Sequence, residues 1–590
     1  MNDAPPVIYE FAGRRLDPAR RQLIHAGKQV AMFPRCVDAL LLLVERRGEL
    51  LDKDFLLGVL WPDVVVEENS LAKVISEVRR ALGETPRDSG GCIETVPRRG
   101  YRFVAAVEVH RDAGSAPVAT GNQVQRSEIR ALAVLPFSIV NPRSTDDSLG
   151  LGLADALITR LGQLQRTLLR PSSSVARFAG TGITPAAAGR ELEVDTVIAG
   201  NLRRAGDIVR VSVQMIAVAA ETVTWAEKFD LQSVDSLALE DAISERVADA
   251  LTLALARGEK PPAPRRFTSS PDAYEHYMRG RYLWNKRTRD ALLQAVASFD
   301  RAIAIDPDYA LAYAGLAIAW IHTGVRAAIS QSFRPREVMP KARAAAEKAL
   351  AIDETLSEAH AALGQVLYIY EWKREDGMRE LRRALELNPN DQNAAHWYAM
   401  ALAGIGRFDQ ALEQIQRARD IDPLALMVNA NVGFILYRAG RYREAVEHLR
   451  NTVAIEPGFV MGRYRLGLAC EASGLHDEAL EHFNAMHPGA EDPLAYTAIA
   501  RTLALMGRRD DAQRELVRVL EIARTTYVPA ALIAGIYVAL GDVERTFEFL
   551  ERGVEERAIT LMWLPFDQHW ESVRGDPRFA RLLNNIGLKG

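Results

Sequence analysis

Residues 69–84, NSLAKVISEVRRALGE, and residues 92–107, CIETVPRRGYRFVAAV, decide how the front of this 590-residue chain folds. In the first stretch Leu71, Val74, Ile75, Val78 and Leu82 recur at helical spacing, which puts them on one buried stripe. At about 100° per residue, Asn69, Lys73, Ser76 and Arg80 project from the opposite side, with Glu77 and Arg79 on the flanks. Asn69 or Ser70 is the expected N-cap, and Gly83 the stop. The second stretch predicts two strands, Cys92–Val96 and Tyr101–Val104, whose PRRG tip carries Arg98 and Arg99.

A helix with an exposed polar and cationic face is what a major groove accepts. Arginines at a hairpin tip grip phosphates or enter a minor groove. Many solvated helices carry two or three bases without binding anything, so the helix alone does not decide. Its surroundings do. Short strands come first, VIYEF (Val7–Phe11) and RQLIHAGKQVAM around Gly27. An apolar helix is predicted over Pro34–Arg47, with Gly48 just past its end. Asp52 is placed to cap a second helix, Lys53–Leu60, which Trp61-Pro62 ends.

The motifs VEENSLAKVISEVRRALGE and IETVPRRGYRFVA, in the order strands, three helices, hairpin, resemble the OmpR/PhoB-type winged helix-turn-helix of response regulators and of CadC/ToxR/HilA-like regulators. The resemblance covers nearly all of residues 5–106 and implies an N-terminal four-stranded sheet and a C-terminal wing. It implies a DNA-binding set of Asn69, Lys73, Ser76, Arg79 and Arg80 on or beside the recognition helix, and Arg98, Arg99 and Arg102 on the wing. It also implies a loop at Trp61 and DVVVEEN that contacts RNA polymerase or shapes docking, and a tendency to bind direct repeats as a homodimer. Two features depart from response regulators. Glu77 stands where a base is often found, and no receiver domain is expected ahead of the helices.

Composition bounds the rest. The chain is too long for one core, so three or more domains are expected. Its net charge of −4 leaves any attraction to DNA to a local patch. Three widely spaced cysteines, Cys36, Cys92 and Cys470, argue against a disulfide framework or a cysteine-built zinc site. The start MNDAPPVIYEF lacks a signal pattern, and the apolar run Ala39–Val44 is too short to span a bilayer, so a cytoplasmic location without membrane contact is expected.

Residues 108–127 are polar, small and Gly/Pro-bearing, a linker. Residues 128–258 alternate apolar strands with helices and predict an α/β domain: ALAVLPF as a buried strand, Leu149–Leu164 as a helix, then strands turning at Ala205-Gly206-Asp207 and a closing helix over Asp235–Ala256. AVLPF, ELEVDTVIAGNLRRAGDIVRVSVQMI and TWAEKFD resemble the TolB N-terminal-like domain, which implies architecture and little chemistry. Gly150 and Gly152 make only a G-x-G, with Asp155 where a third small residue belongs, so a helix-start turn outweighs a nucleotide loop.

Beyond the proline-rich Lys260–Pro264, the motifs ELNP, DIDP and AIEP place Pro389, Pro423 and Pro457 at the 34-residue tetratricopeptide spacing. Residues 270–590 are therefore identified as about eight helix pairs in an all-α superhelix, with an insertion over Ala327–Pro340 and a C-terminal segment that caps the array. Such an array offers a surface to a protein or peptide, or to self-association.

No HExxH, GxSxG or phosphate loop occurs. Neither catalysis, cofactor nor metal is expected. The reading is a sequence-specific DNA-binding transcriptional regulator, built as an α+β winged helix, an α/β domain and a tetratricopeptide array. The alternative is an interaction scaffold whose winged helix no longer binds DNA.

Overall fold

The computed structural model describes residues 7–18, 22–25, 28–30, 32, 34–60, 68–83, 91–96, 99–111, 129–140, 149–164, 166–205, 208–232, 236–252, 267–286, 288–325, 333–486 and 492–588. The Trp61 loop, Arg98, the turn at Gly206-Asp207 and the Lys260–Pro264 linker lie outside these residues, as does the side chain of Asn69.

Among the described residues the front of the chain opens with β1 (Val7–Phe11), β2 (Arg14–Asp17), β3 (Gln22–His25) and β4 (Lys28–Val30). Then come α1 (Pro34–Glu45), β5 (Leu51–Asp52), α2 (Lys53–Leu60), α3 (Glu68–Ala81), β6 (Ile93–Val96), β7 (Gly100–Phe103) and β8 (Glu108–Arg111). The expected cap of α2 is present, with the Phe55 amide donating to Asp52 Oδ1 at 2.7 Å. Helix α3 starts at Glu68, so Asn69 and Ser70 lie in its first turn and not at the cap. Glutamate is a better helix former than Asn or Ser, which lets the helix extend back through it. The first sheet has five strands, β4-β3-β2-β1-β8, where four were expected. The start of the expected linker supplies the fifth, with Ile8 opposite His110 and Glu10 opposite Glu108. Without it β1 would present an open edge of unpaired backbone groups.

The core of this domain joins Leu16 and Leu23 of the sheet to Leu40 and Leu43 of α1 and to Leu71, Val74, Ile75 and Val78 of α3. Phe11 and Phe103 meet edge to face at 5.0 Å, which ties the wing strand β7 to the first sheet.

The middle domain is a six-stranded sheet. Strands β9 (Ala131–Val134), β10 (Ser138–Val140) and β11 (Leu168–Leu169) run parallel to their neighbours, and β12 (Thr196–Ala205), β13 (Ile208–Ala217) and β14 (Thr222–Gln232) form an antiparallel meander. Its helices are α4 (Leu149–Leu161), α5 (Ser172–Val175), α6 (Pro185–Glu191) and α7 (Ser236–Thr252). Gly150 and Gly152 lie in the first turn of α4, at the helix start.

Eight helix pairs follow among the described residues. They are α8 (Pro271–Asn285) with α9 (Arg289–Ile305), α10 (Ala310–Val325) with α11 (Pro335–Ile352), α12 (Ser357–Ile369) with α13 (Arg374–Leu387), and α14 (Gln392–Ala403) with α15 (Phe408–Ile421). The rest are α16 (Leu426–Arg438) with α17 (Tyr442–Ile455), α18 (Val460–Ala472) with α19 (His476–Asn484), α20 (Pro493–Leu505) with α21 (Arg509–Ile522), and α22 (Ala530–Ala539) with α23 (Val543–Glu556). Two 3₁₀ turns, Ile559–Trp563 and Gln568–Val573, and α24 (Pro577–Asn585) end the chain. The expected insertion is shorter than Ala327–Pro340, because Pro335–Pro340 form the first turns of α11. Pro335 stands at the first helical position, where an amide would have no intrahelical partner, whereas Pro340 lies inside the helix.

The middle domain and the repeats pack as parts of one compact unit, which the proline-rich linker between them had not suggested. Arg281 of α8 is buried between Asp155 of α4, at 2.7 Å, and Glu358 of α12, at 2.8 Å. Gly152 is there for close approach, since a Cβ would lie 2.4 Å from Met278 Sδ. Asn390 donates to the carbonyls of Gly162, Leu164 and Thr167 at 2.9–3.1 Å and accepts from the Leu169 amide at 3.0 Å.

Candidate nucleic-acid interface

Helix α3 buries the stripe the sequence marks. Leu71, Ile75 and Val78 are fully buried, and Val74 and Leu82 nearly so. That anchors the helix and leaves Lys73, Ser76 and Arg80 exposed on its other side. Among the described residues Lys73 has no ion-pair partner, so its ammonium is available to a phosphate. Arg80 is half-exposed and pairs with Glu77 at 3.0 Å, one turn back on the helix. This exposed pair is worth little on its own and can open toward DNA. Gly83 takes φ +64° just past the helix.

Arg79 does something else. Its Nη2 donates to the Ile93 carbonyl at 2.9 Å and to Thr95 Oγ1 at 2.7 Å. Both acceptors lie on β6, an edge strand of the sheet β5-β7-β6, where a carbonyl lacks a ladder partner. The guanidinium expected to face DNA is thus turned toward the wing and fixes its angle to the recognition helix. Spacing on the helix could not reveal this, because the acceptors lie 14 and 16 residues downstream.

The wing itself is short. Arg99 is exposed beyond β6, and its backbone is held by the Val96 carbonyl at 3.0 Å and by the Lys53 amide at 3.2 Å. Arg102 faces Glu94 across the strand pair, with 3.6 Å between the charged groups and both side chains partly exposed. Gly100 is required because a Cβ there would sit 1.9 Å from the Leu51 carbonyl oxygen, where β5 meets β7. The tip therefore needs its glycine for backbone approach to the body of the domain.

One contributor has no signal in the sequence. Arg14 of β2 donates to the Leu82 carbonyl at the C-terminus of α3. A cation there satisfies an orphan carbonyl and opposes the negative end of the helix dipole. The structure thus brings together Lys73, Ser76, Arg80 and Arg99 as exposed groups, pairs Arg102 with Glu94, and assigns Arg79 to positioning. Asn69 is on the same helix, with its side chain outside the described residues.

Cys470, Glu478 and His482 form a group whose ligand atoms lie within 4.8 Å of one another, far along the repeats. Among the described residues no helix is long and apolar enough to cross a membrane.

Comparison with known proteins matches three parts of the chain. Residues 27–103 match the family model for the C-terminal domain of transcriptional regulatory proteins. Residues 127–246 match the second domain of HilA/YgeH-like transcriptional regulators. Residues 373–425 and 435–493 match the tetratricopeptide repeat. The middle-domain match names a HilA/YgeH-like domain where the sequence reading expected a TolB N-terminal-like one. The chain is 24% identical to the transcriptional regulator HilA of Salmonella typhimurium over 404 residues, 68% of each protein. It is 33% identical to the transcriptional activator CadC of Escherichia coli over 90 residues, 15% of this chain and 18% of that one. It is also 30% identical to a putative adenylate cyclase 3 of Rhizobium meliloti over 190 residues, 32% of each. The chain joins an OmpR/PhoB-type DNA-binding domain of transcriptional regulators to a HilA-like second domain and C-terminal tetratricopeptide repeats.

Proposed function

We propose that the chain is a sequence-specific, non-catalytic regulator of transcription that acts in the cytoplasm. Helix α3 lies in the major groove, with Lys73, Ser76 and Arg80 toward the DNA. The wing arginines hold the adjacent backbone, and the Trp61 loop meets RNA polymerase. The observation that carries this reading is the pairing in one compact unit of an exposed Lys73–Ser76–Arg80 face with a wing held beside it by Arg79. Binding as a homodimer to paired half-sites would give the specificity that one small interface lacks. The repeats supply the second partner, a protein.

The test is a genome-wide map of sites occupied by the full chain in its source cell, beside the Lys73→Ala/Arg99→Ala variant. Discrete peaks sharing a short repeated motif, lost in the double variant, are expected. Uniform occupancy, or peaks indifferent to both substitutions, would refute sequence-specific docking through this helix and wing.

A further inference from the structure

The first helices of successive repeat pairs form the face on which such arrays usually receive a ligand. Here that face is already in use by the chain's own end. Trp563 stands edge to face on Phe434 of α16 at 5.1 Å, and Phe566 on Phe408 of α15 at 5.2 Å. Met562 packs at Gly404, where a Cβ would come within 2.9 Å of its Cε. Between these aromatic contacts sits one buried carboxylate, Asp567. Tyr437 Oη donates to it at 2.9 Å, and Arg438 forms an ion pair with it. This segment packs on α22 of the last pair, as a cap would, but it does not stop there. It reaches back across several pairs.

The charges under it do not balance. Arg438, Arg465 and Arg501 are buried on α16, α18 and α20. Arg501 is matched by Glu471 at 2.9 Å, and Thr502 donates to the same carboxylate at 2.6 Å. Arg438 has Asp567. Arg465 stacks on Phe434 at 4.8 Å, but its Nη1 is buried without a hydrogen-bond acceptor, and among the described residues it has no carboxylate. Burial and the neighbouring Arg438 push its guanidinium down to about 9, which still leaves it charged at neutral pH. A buried cation without a counter-ion is costly unless an anion arrives.

We infer that this face is a receptor for acidic residues flanked by aromatic side chains, that Ile559–Val573 occupies it as an internal ligand, and that the protein partner displaces this segment with one carrying a second carboxylate for Arg465. The inference rests on the reading that the repeats bind a protein, and it gives that partner a chemistry.

The experiment uses the full chain without DNA. The probes are fluorescent 15-residue peptides of sequence 559–573, ITLMWLPFDQHWESV, and the same peptide with Gln568→Asp, followed by anisotropy. Asp567→Asn in the chain weakens the internal ligand, so it should bind the peptide at least ten-fold more tightly than wild type. The Gln568→Asp peptide should bind more tightly still, and Arg465→Met in the Asp567→Asn chain should erase that gain. A folded Asp567→Asn chain that binds neither peptide overturns the inference, as does equal binding with and without Arg465. Should Asp567→Asn not fold, hydrogen exchange on the wild-type chain decides. Opening of residues 559–573 ahead of α16 and α18 supports displacement, whereas exchange only on global unfolding makes the segment a fixed part of the fold and refutes it. DNA binding by the same Asp567→Asn chain, measured separately, distinguishes failure of this inference from failure of the regulator reading.

Discussion

Lys73 and Arg79 lie on the same helix six residues apart, and the structure gives them opposite roles. The Lys73 side chain is exposed, so Lys73→Ala should leave stability within about 0.5 kcal/mol of wild type. It should remove one phosphate contact. The slope of log affinity against log salt then becomes shallower by ~0.9. Across a four-fold rise in salt, from ~50 to ~200 mM, the ratio of wild-type to variant affinity should shrink by about 3.5-fold. Arg79→Ala should behave otherwise. It removes two charge-assisted hydrogen bonds, to Ile93 and Thr95 at 2.9 and 2.7 Å. With the guanidinium only half-buried, about 1–2 kcal/mol of local stability should go. The wing amides should then exchange faster, and affinity should fall with the salt slope nearly unchanged. Anisotropy titrations at four salt concentrations and hydrogen exchange of residues 93–103 measure both signatures. If Arg79→Ala flattens the slope as much as Lys73→Ala and leaves the wing amides as protected as in wild type, Arg79 is a DNA contact and its assignment to wing positioning fails.

Two further outcomes follow from buried charge. Arg281→Met strands the carboxylates of Asp155 and Glu358 between the middle domain and the repeats. It should cost about 3–5 kcal/mol. Adding Asp155→Asn and Glu358→Gln should recover most of that loss in calorimetry, and a loss below 1 kcal/mol for the single variant would count against a shared latch. For His569, burial outweighs the attraction of Asp567 and pushes the imidazole down to about 4. The unfolded chain takes up that proton near pH 6.5, so stability should fall as pH drops from about 6.5 to 4, by on the order of 3 kcal/mol. Asp567, held near 2, contributes its own loss only below that window. Denaturant titrations should show this slope flattened in His569→Gln, and an unchanged slope would place the responsible group elsewhere.

What could be read from the sequence was what local periodicity encodes. The stripe Leu71–Leu82, the Asp52 cap, the hairpin turning after Val96 and the eight helix pairs all depend on residues within one or two turns of one another. What could not be read depends on partners far along the chain. β8, EVHR, has one apolar residue, Val109, and no strand pattern, and pairing to β1, about 100 residues earlier, makes it a strand. Arg79 looked like any flank cation until β6 was placed beside it. Asp155 spoiled a glycine motif in the sequence. In the structure it is half of an ion pair with Arg281, 126 residues away. The final segment was expected to cap the array, and it does pack on the last pair. That it also reaches back over α15 and α16, on the face expected to be free for a partner, was a matter of tertiary packing.

That occupied face sets a quantitative condition on any protein partner. A tethered segment faces its site at an effective concentration of about 1 mM. A partner free at about 1 µM therefore has to bind the emptied site roughly a thousand-fold more tightly than Ile559–Val573 does, a gap of about 4 kcal/mol. Repeating the segment's own contacts gives no such advantage. Arg465 can supply much of the difference. A carboxylate placed on it forms a charge-assisted bond of about 1.5–3 kcal/mol and relieves a buried uncompensated cation. The missing anion is thus what would let an external ligand of the same shape prevail over the internal one. A partner lacking a second acidic residue would leave the site in its closed state at ordinary cellular concentration.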